Sequence, residues 1–525
     1  MFSKNNKVSG RQLGRMIFVE TSGSTAFLSL SFIGKYGSDG LFIILWLYIF
    51  ALIFSMGMLR LAKNHKNCEQ GKFGKIIKTV LMIVLLAKYV CMVGIVLYGI
   101  ADVAKLVLIP EVSTLFILIL TFVCVIYCID GGIESRGRAC ELLFFVVLIP
   151  IVIICVMLIP KIQPHYIVPE FEMNLKNAVL DFLALAWFFV PAESLFLIRD
   201  CYDNNNETRT NIYAGITLSF LVNFAIFAGA LGVYGGKTVS GMDRPVLRLM
   251  QISGLPGGFL NRQDGIMSVF LIVSLFCSAW ALTYHINELI KNIFLQKNTM
   301  KYAMKITVTA MVMVLFILYI CSDKSKEKII SANVGGMDLE ERKFVMSMIV
   351  SYSDDGTEFY YEIASSGNGG GGESAQGNDS SAGNVSSEFE VTKAKTAKEA
   401  EEKISYATGS KLDYSHMKVL LLDKELMEDN EKLKGLIEEI SGNVKIAENV
   451  VVCGIELDYE FEPSEEYGKK TEQITKQQFE NSEIYRFNRI YSEEDEKVTI
   501  PLIDEKVKIV GSGMVTKDVV YWDVG

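Results

Sequence analysis

The 525-residue sequence holds only four histidines and ten prolines, and no two cysteines form a Cys-x-x-Cys pair. The ligand spacings of zinc ribbons and redox dithiols are therefore missing. Cys124 and Cys128 share one helical face, but they sit in an apolar run, where small thiols pack rather than hold a metal. Nine of the ten cysteines lie at or before Cys321. Cys453 stands alone after it, so that part has no disulfide framework of its own. The later part also lacks long apolar runs and basic charge. From residue 322 onward 24 Lys and Arg stand against 42 Asp and Glu, whereas 27 stand against 18 before it. Nucleic acid calls for a basic face, so it is not an expected partner. His416 has no nucleophile or metal-ligand cluster around it in the sequence. No enzyme, no metal and no cofactor are expected.

Apolar runs are abundant in the first part. They fall at about 12–33, 40–62, 76–104, 112–129, 139–160, 178–199, 212–235, 266–290 and 303–321, roughly nine membrane spans. The basic N-terminus runs into the first of them with no small-residue cleavage site, which predicts a retained helix. Lys and Arg crowd the N-terminus and every second short loop, which places the N-terminus in the cytoplasm. An odd number of spans then puts the acidic tail on the other side.

Two spans are poorly built as simple anchors. The run 178–199 contains Pro191, which cannot donate a backbone hydrogen bond, and Glu193, which costs ~2.5–3.5 kcal/mol or more in hydrocarbon if unpaired. The first span carries Thr21, Ser22, Gly23, Ser24 and Thr25 directly after Glu20. Broken first and sixth helices mark the substrate site in one inverted-repeat transporter architecture. On that pattern Thr21 to Thr25 offer backbone amides and hydroxyls to a substrate carboxylate. Phe188, Phe189, Pro191 and Glu193 line the pocket, with Trp280 and Tyr284 on the eighth span. Lys88 lies near the middle of the third span, too deep to reach water, and needs a carboxylate partner. Glu20 and Glu193 are the candidates, and the Pro191 break favours Glu193. His285, Glu288 and Lys291 read as a solvated inner helix end.

The tail reads as α/β, in two units at 322–455 and 456–525. A hairpin is expected across Ser353 to Gly356, and a Gly/Ser-rich insert over 365–387. Thr396 caps a helix with Glu399 completing the capping box. Strands are expected at Met417–Leu422 and Val450–Ile455, and helices over 426–440 and 471–481. Strands at 498–502, 507–510 and 519–522 form the second unit.

Several local motifs resemble known families. Val8-Ser9-Gly10-Arg11-Gln12-Leu13 and Phe189-Val190-Pro191-Ala192-Glu193 resemble the first-span entry and sixth span of spore germination permeases. So do Arg244-Pro245 and Phe259 to Asp264, for the outer loop. These permeases are the B subunits of nutrient germinant receptors, within the amino acid–polyamine–organocation superfamily. The resemblance covers about 1–320, and the transmembrane domain is expected over 1–321. In the tail, Asp338 to Arg342, Tyr414 to Lys418, and Ile500-Pro501-Leu502 through Gly513 resemble the first two domains of the germination lipoprotein, the C subunit. Its third domain has no counterpart here, and Tyr319-Ile320-Cys321 departs from a lipobox.

The resemblance implies a polytopic α-helical protein of the inverted-repeat amino acid permease fold with an extracytoplasmic α/β region. It implies a germinant receptor subunit in the inner spore membrane that binds a small nutrient, an amino acid, and assembles with a large A-type subunit. Family permeases have ten spans, so one fewer delivers a lipoprotein-like tail to the outer side. The alternatives are a proton- or ion-coupled amino acid transporter with an accessory domain, and a scaffold that binds nothing small.

Overall fold

The computed structural model describes residues 7–68, 72–109, 112–171, 173–187, 189–242, 244–252, 263–294, 342–353, 356–364, 387–442, 446–457, 466–479, 482–493 and 496–524. They fall into two compact units, divided near residue 334.

The first unit is helical. Helix α1 (Gly10–Ile33) opens on a reciprocal cap: Gln12 N–H donates to the Ser9 hydroxyl and Ser9 N–H to the Gln12 side chain. There follow α2 (Gly40–Cys68), α3 (Lys72–Val103), α4 (Thr114–Ile129), α5 (Gly132–Leu158), α6 (Leu175–Trp187), α7 (Pro191–Leu197), α8 (Asn206–Tyr234), α9 (Gly236–Ser240), α10 (Pro245–Ile252) and α11 (Gln263–Phe294). Among the described residues six stretches are long and apolar enough to cross a membrane: 34–63, 79–108, 132–161, 175–197, 206–234 and 268–291. With α1 and α4 they correspond to the first eight expected spans. The ninth, 303–321, lies outside the described residues, and so does Cys321.

Pro191 acts as its chemistry requires. The sixth span ends as α6 at Trp187 and restarts as α7, with Pro191 in the first turn, where a missing N–H is harmless. The first span differs from the expected gap. Its helix runs on from Gly10 to Ile33, and the disturbance is an insertion from α11. The Ser274 hydroxyl donates to Val19 O and accepts from Gly23 N–H at 2.7 Å, the two groups that pair in an undisturbed ladder. Gly23 is what lets α11 come so close: a Cβ there would lie 2.4 Å from Ser274 Cβ.

Helices α1 and α8 touch through backbone. A Cβ on Gly14 would lie 2.4 Å from Asn211 O, and one on Gly215 would lie 2.3 Å from Gly14 O. Small residues on both helices permit this approach. At one end of the bundle Val8 N–H bonds Cys201 O at 2.8 Å, and the Asn204 amide bonds Leu59 O at 3.0 Å. The chain entry and the ends of the second and sixth spans therefore share a side, as alternating spans require. At another contact Arg244 grips Asp102 with two bonds of 2.8 and 3.0 Å.

Among the described residues the second unit forms a nine-stranded mixed sheet. The strands are β1 (Arg342–Ser353), β2 (Gly356–Ala364), β3 (Ser387–Ala394), β4 (Lys411–Asp413), β5 (Val419–Asp423), β6 (Val451–Ile455), β7 (Lys497–Ile503), β8 (Ile509–Thr516) and β9 (Val520–Val524). Their order is β3-β2-β1-β5-β6-β7-β8-β9, with β4 beside β1. The centre, β1-β5-β6-β7, is parallel, and the outer pairs are antiparallel. Every residue of β5 and β6 is buried, because both faces are covered. Leu420 and Leu422 enter one core, and Val419 and Leu421 the other.

The hairpin across 353–356 forms. Thr396 caps the helix Ala397–Thr408, but the Glu399 carboxylate takes its N–H from Lys395 instead of closing the box. The helix expected over 426–440 is two helices, Lys424–Glu428 and Asn430–Gly442, parted at Asp429. The sheet passes across the expected boundary at 455/456, because β6 pairs with β7. The expected insert falls almost wholly outside the described residues.

Candidate functional site

The break between α6 and α7 borders a cavity of about 200 Å³, walled by α1, α2, α3, α8 and α11 as well. Of its 21 described lining residues fifteen are apolar; the polar six are Glu20, Thr21, Ser24, Thr25, Asn223 and Ser278. The volume is below the ~300–1,000 Å³ of drug-sized pockets, so the space suits a small metabolite.

Of the residues singled out from the sequence, Glu20, Thr21, Ser24, Thr25, Phe189 and Pro191 meet at this cavity. Phe188 lies outside the described residues. Ser22 and Gly23 turn instead toward Ser274, at 3.3 and 2.7 Å. Trp280 and Tyr284 are buried but are not among the lining residues. Tyr284 faces the Arg136 guanidinium, 5.4 Å from its ring centre. The expected use of first-span amides and hydroxyls is altered by the same geometry. Gly23 N–H is already bonded, and the hydroxyls of Thr21, Ser24 and Thr25 donate back to carbonyls of their own helix. Helical backbone satisfies itself first, and short hydroxyl side chains reach the carbonyl one turn below.

Two buried ion pairs flank the cavity. Lys88 Nζ lies 2.7 Å from Glu193 Oε1, with Tyr89 donating to Glu193 Oε2 at 3.1 Å. The Lys88 side chain is 1% exposed, and its ammonium also stands 4.9 Å from the Trp187 ring centre. This pair ties α3 to α7 just past the break. Glu193 thus belongs to the ion pair and does not line the cavity. The second pair joins Glu20 to Arg136, with Nε and Oε1 3.0 Å apart. Charge placed in such surroundings is costly unless paired, which explains why each deep carboxylate has a cation beside it.

The sequence singles out neither Arg136, which counts only among the Lys and Arg of every second loop, nor a buried role for His285, which it places at a solvated helix end. Both are fully buried, and α5 already begins at Gly132. Asn223 was missed as well, although an amide inside the apolar stretch Phe220 to Phe227 was a usable signal. Glu288 and Lys291 do pair at 2.6 Å near the end of α11. No cluster of three or more His, Cys, Asp or Glu suited to a metal occurs among the described residues. In the tail, burial pushes the Cys453 thiol up to about 12, far from a reactive thiolate.

Comparison with known proteins places this arrangement. The spore permease model, described as a spore germination protein, matches residues 7–328, more than half of the sequence. The chain belongs to the spore germination permease family. The model of a spore germination protein N-terminal domain matches residues 335–505 of the same chain, so this permease carries a second germination module. A comparison with curated proteins finds no significant match. Among solved structures, a Na+-coupled sialic acid symporter in a substrate-bound outward-open state has 16% identity and TM-score 0.45, covering 61% of this chain and 75% of that one. A manganese transporter from Eremococcus coleocola, with an aromatic bis-isothiourea compound, has 12% identity and TM-score 0.43, covering 60% and 72%. Mhp1, a nucleobase-cation-symport-1 family transporter closed on bromovinylhydantoin, has 14% identity and TM-score 0.40, covering 59% and 72%. By its family and its long apolar helices, this permease is a multi-pass helical membrane protein with a C-terminal sheet region.

Proposed function

We propose that this chain is a subunit of a spore nutrient-germinant receptor that binds a small nutrient, an amino acid, in the cavity at the α6–α7 break. The observation that carries this reading is the joining of a permease unit and a second germination domain in one chain. The permease unit supplies the cavity and two buried ion pairs. The tail, whose sheet runs across the boundary expected at 455/456, supplies a folded surface for partner subunits, the large A-type subunit among them. The protein works without catalysis. Its N-terminus is cytoplasmic, its tail is extracytoplasmic, and its location is the inner spore membrane.

A coupled amino acid transporter would share the cavity. Labelled amino acid uptake into proteoliposomes, run beside nutrient-triggered ion release from spores, separates the two. Release that depends on this chain, without uptake, is the expected result. Uptake without any effect on release overturns the receptor reading.

A further inference from the structure

The polar wall of the cavity is one-sided in its hydrogen bonding. A hydroxyl has one hydrogen to give, and an amide two. Thr21 gives its hydrogen to Ile17 O, Ser24 to Glu20 O, Thr25 to Thr21 O and Ser278 to Glu20 O. Asn223 Nδ2 bonds both Thr25 Oγ1 and Ser219 O, each at 2.7 Å. Because Ser219 O only accepts, the amide cannot be turned the other way round. Its oxygen, Oδ1, is therefore fixed as an acceptor; it is buried and has no partner. All side-chain hydrogens on the described polar lining residues are thus committed within the protein. What these residues offer a ligand are lone pairs, those of the Asn223 oxygen and of the Glu20 carboxylate foremost.

We propose that this cavity selects ligands that bring a hydrogen-bond donor, a primary ammonium above all, on an apolar body, and that Asn223 and Glu20 set this specificity. The inference rests on the reading of the cavity as the nutrient site. The donor end sits against α1 and α8, and the apolar body lies along Phe189, Phe220 and Met92. A carboxylate finds no unused side-chain donor among the described residues of this wall, and leaving buried acceptors facing it costs binding. For an amino acid, the ammonium is the end that this wall reads. Asn223 acts as the neutral acceptor; Glu20, held by Arg136, supplies negative charge without leaving the cavity with a net charge.

The test uses the full chain in lipid nanodiscs and three probes of one shape. Leucine carries both groups, isoamylamine keeps only the ammonium, and isocaproate keeps only the carboxylate. Leucine and isoamylamine are expected to raise the unfolding temperature and to bind, with isocaproate at least roughly tenfold weaker. Asn223→Leu is expected to lower isoamylamine affinity by roughly tenfold, while Asn223→Asp, which keeps size and adds negative charge, raises it. Isocaproate binding as well as isoamylamine, or an Asn223→Asp protein that folds and prefers the acid, overturns the donor rule and leaves the nutrient site standing. No binding by any of the three overturns both.

Discussion

At the scale of single residues, the account turns on charges that cannot reach water. Lys88 and Glu193 hold one another at 2.7 Å across α3 and α7. Removing one member strands the other, a loss of ~3–5 kcal/mol for a buried pair. Lys88→Met and Glu193→Gln are each expected to abolish the nutrient response and lower thermal stability. The double variant is expected to be more stable than either single one, because it strands no charge. Unchanged stability and response in Lys88→Met would show that the pair does not shape the site. This pair was legible in the sequence, since an isolated lysine in hydrocarbon demands a partner and the Pro191 break supplied one. The Glu20–Arg136 pair was not. Arg136 sits four residues into α5, and positional counting could not tell a buried helix start from a loop.

At the scale of elements, close backbone contacts decide what the bundle tolerates. Helix α1 meets α8 where Gly14 and Gly215 leave no room for a methyl group. Overpacking of a tight contact costs ~1–3 kcal/mol or more, and here the obstacle is backbone, which cannot rotate away. Gly14→Val is expected to reduce the yield of folded protein in membranes sharply. Gly57→Ala, on the open side of α2, is expected to leave it unchanged. Folded yields on size-exclusion chromatography check this; equal yields would mean that α1 and α8 are not in backbone contact. Apolar runs made the spans readable and Pro191 made one break readable. The α1 disturbance was only half readable: the Thr21 to Thr25 stretch marked the place, but its form depends on Ser274, about 250 positions away in the chain. In the tail, the apolar runs 419–422 of β5 and 451–455 of β6 declared themselves. Strand β3 did not, since none of residues 388–393 is buried and the apolar alternation is faint. The helix Ile484–Ser492 was hidden by strand-favouring aromatic and branched residues.

At the scale of the whole molecule, two germination modules in one chain argue for a sensor that also assembles. A reporter active only outside the cytoplasm, fused after Gly525, is expected to be active; cytoplasmic activity would reverse the topology. The central claim is that the cavity at the α6–α7 break receives the nutrient. Ala281 lines that cavity from α11 and has no polar role. Replacing it with phenylalanine fills part of about 200 Å³ without touching either ion pair. The decisive measurement is nutrient-triggered ion release from spores carrying Ala281→Phe, with protein level in the spore membrane measured alongside. The account predicts normal protein levels and a response that is lost or needs far more nutrient. Normal levels with an unchanged dose dependence would contradict it.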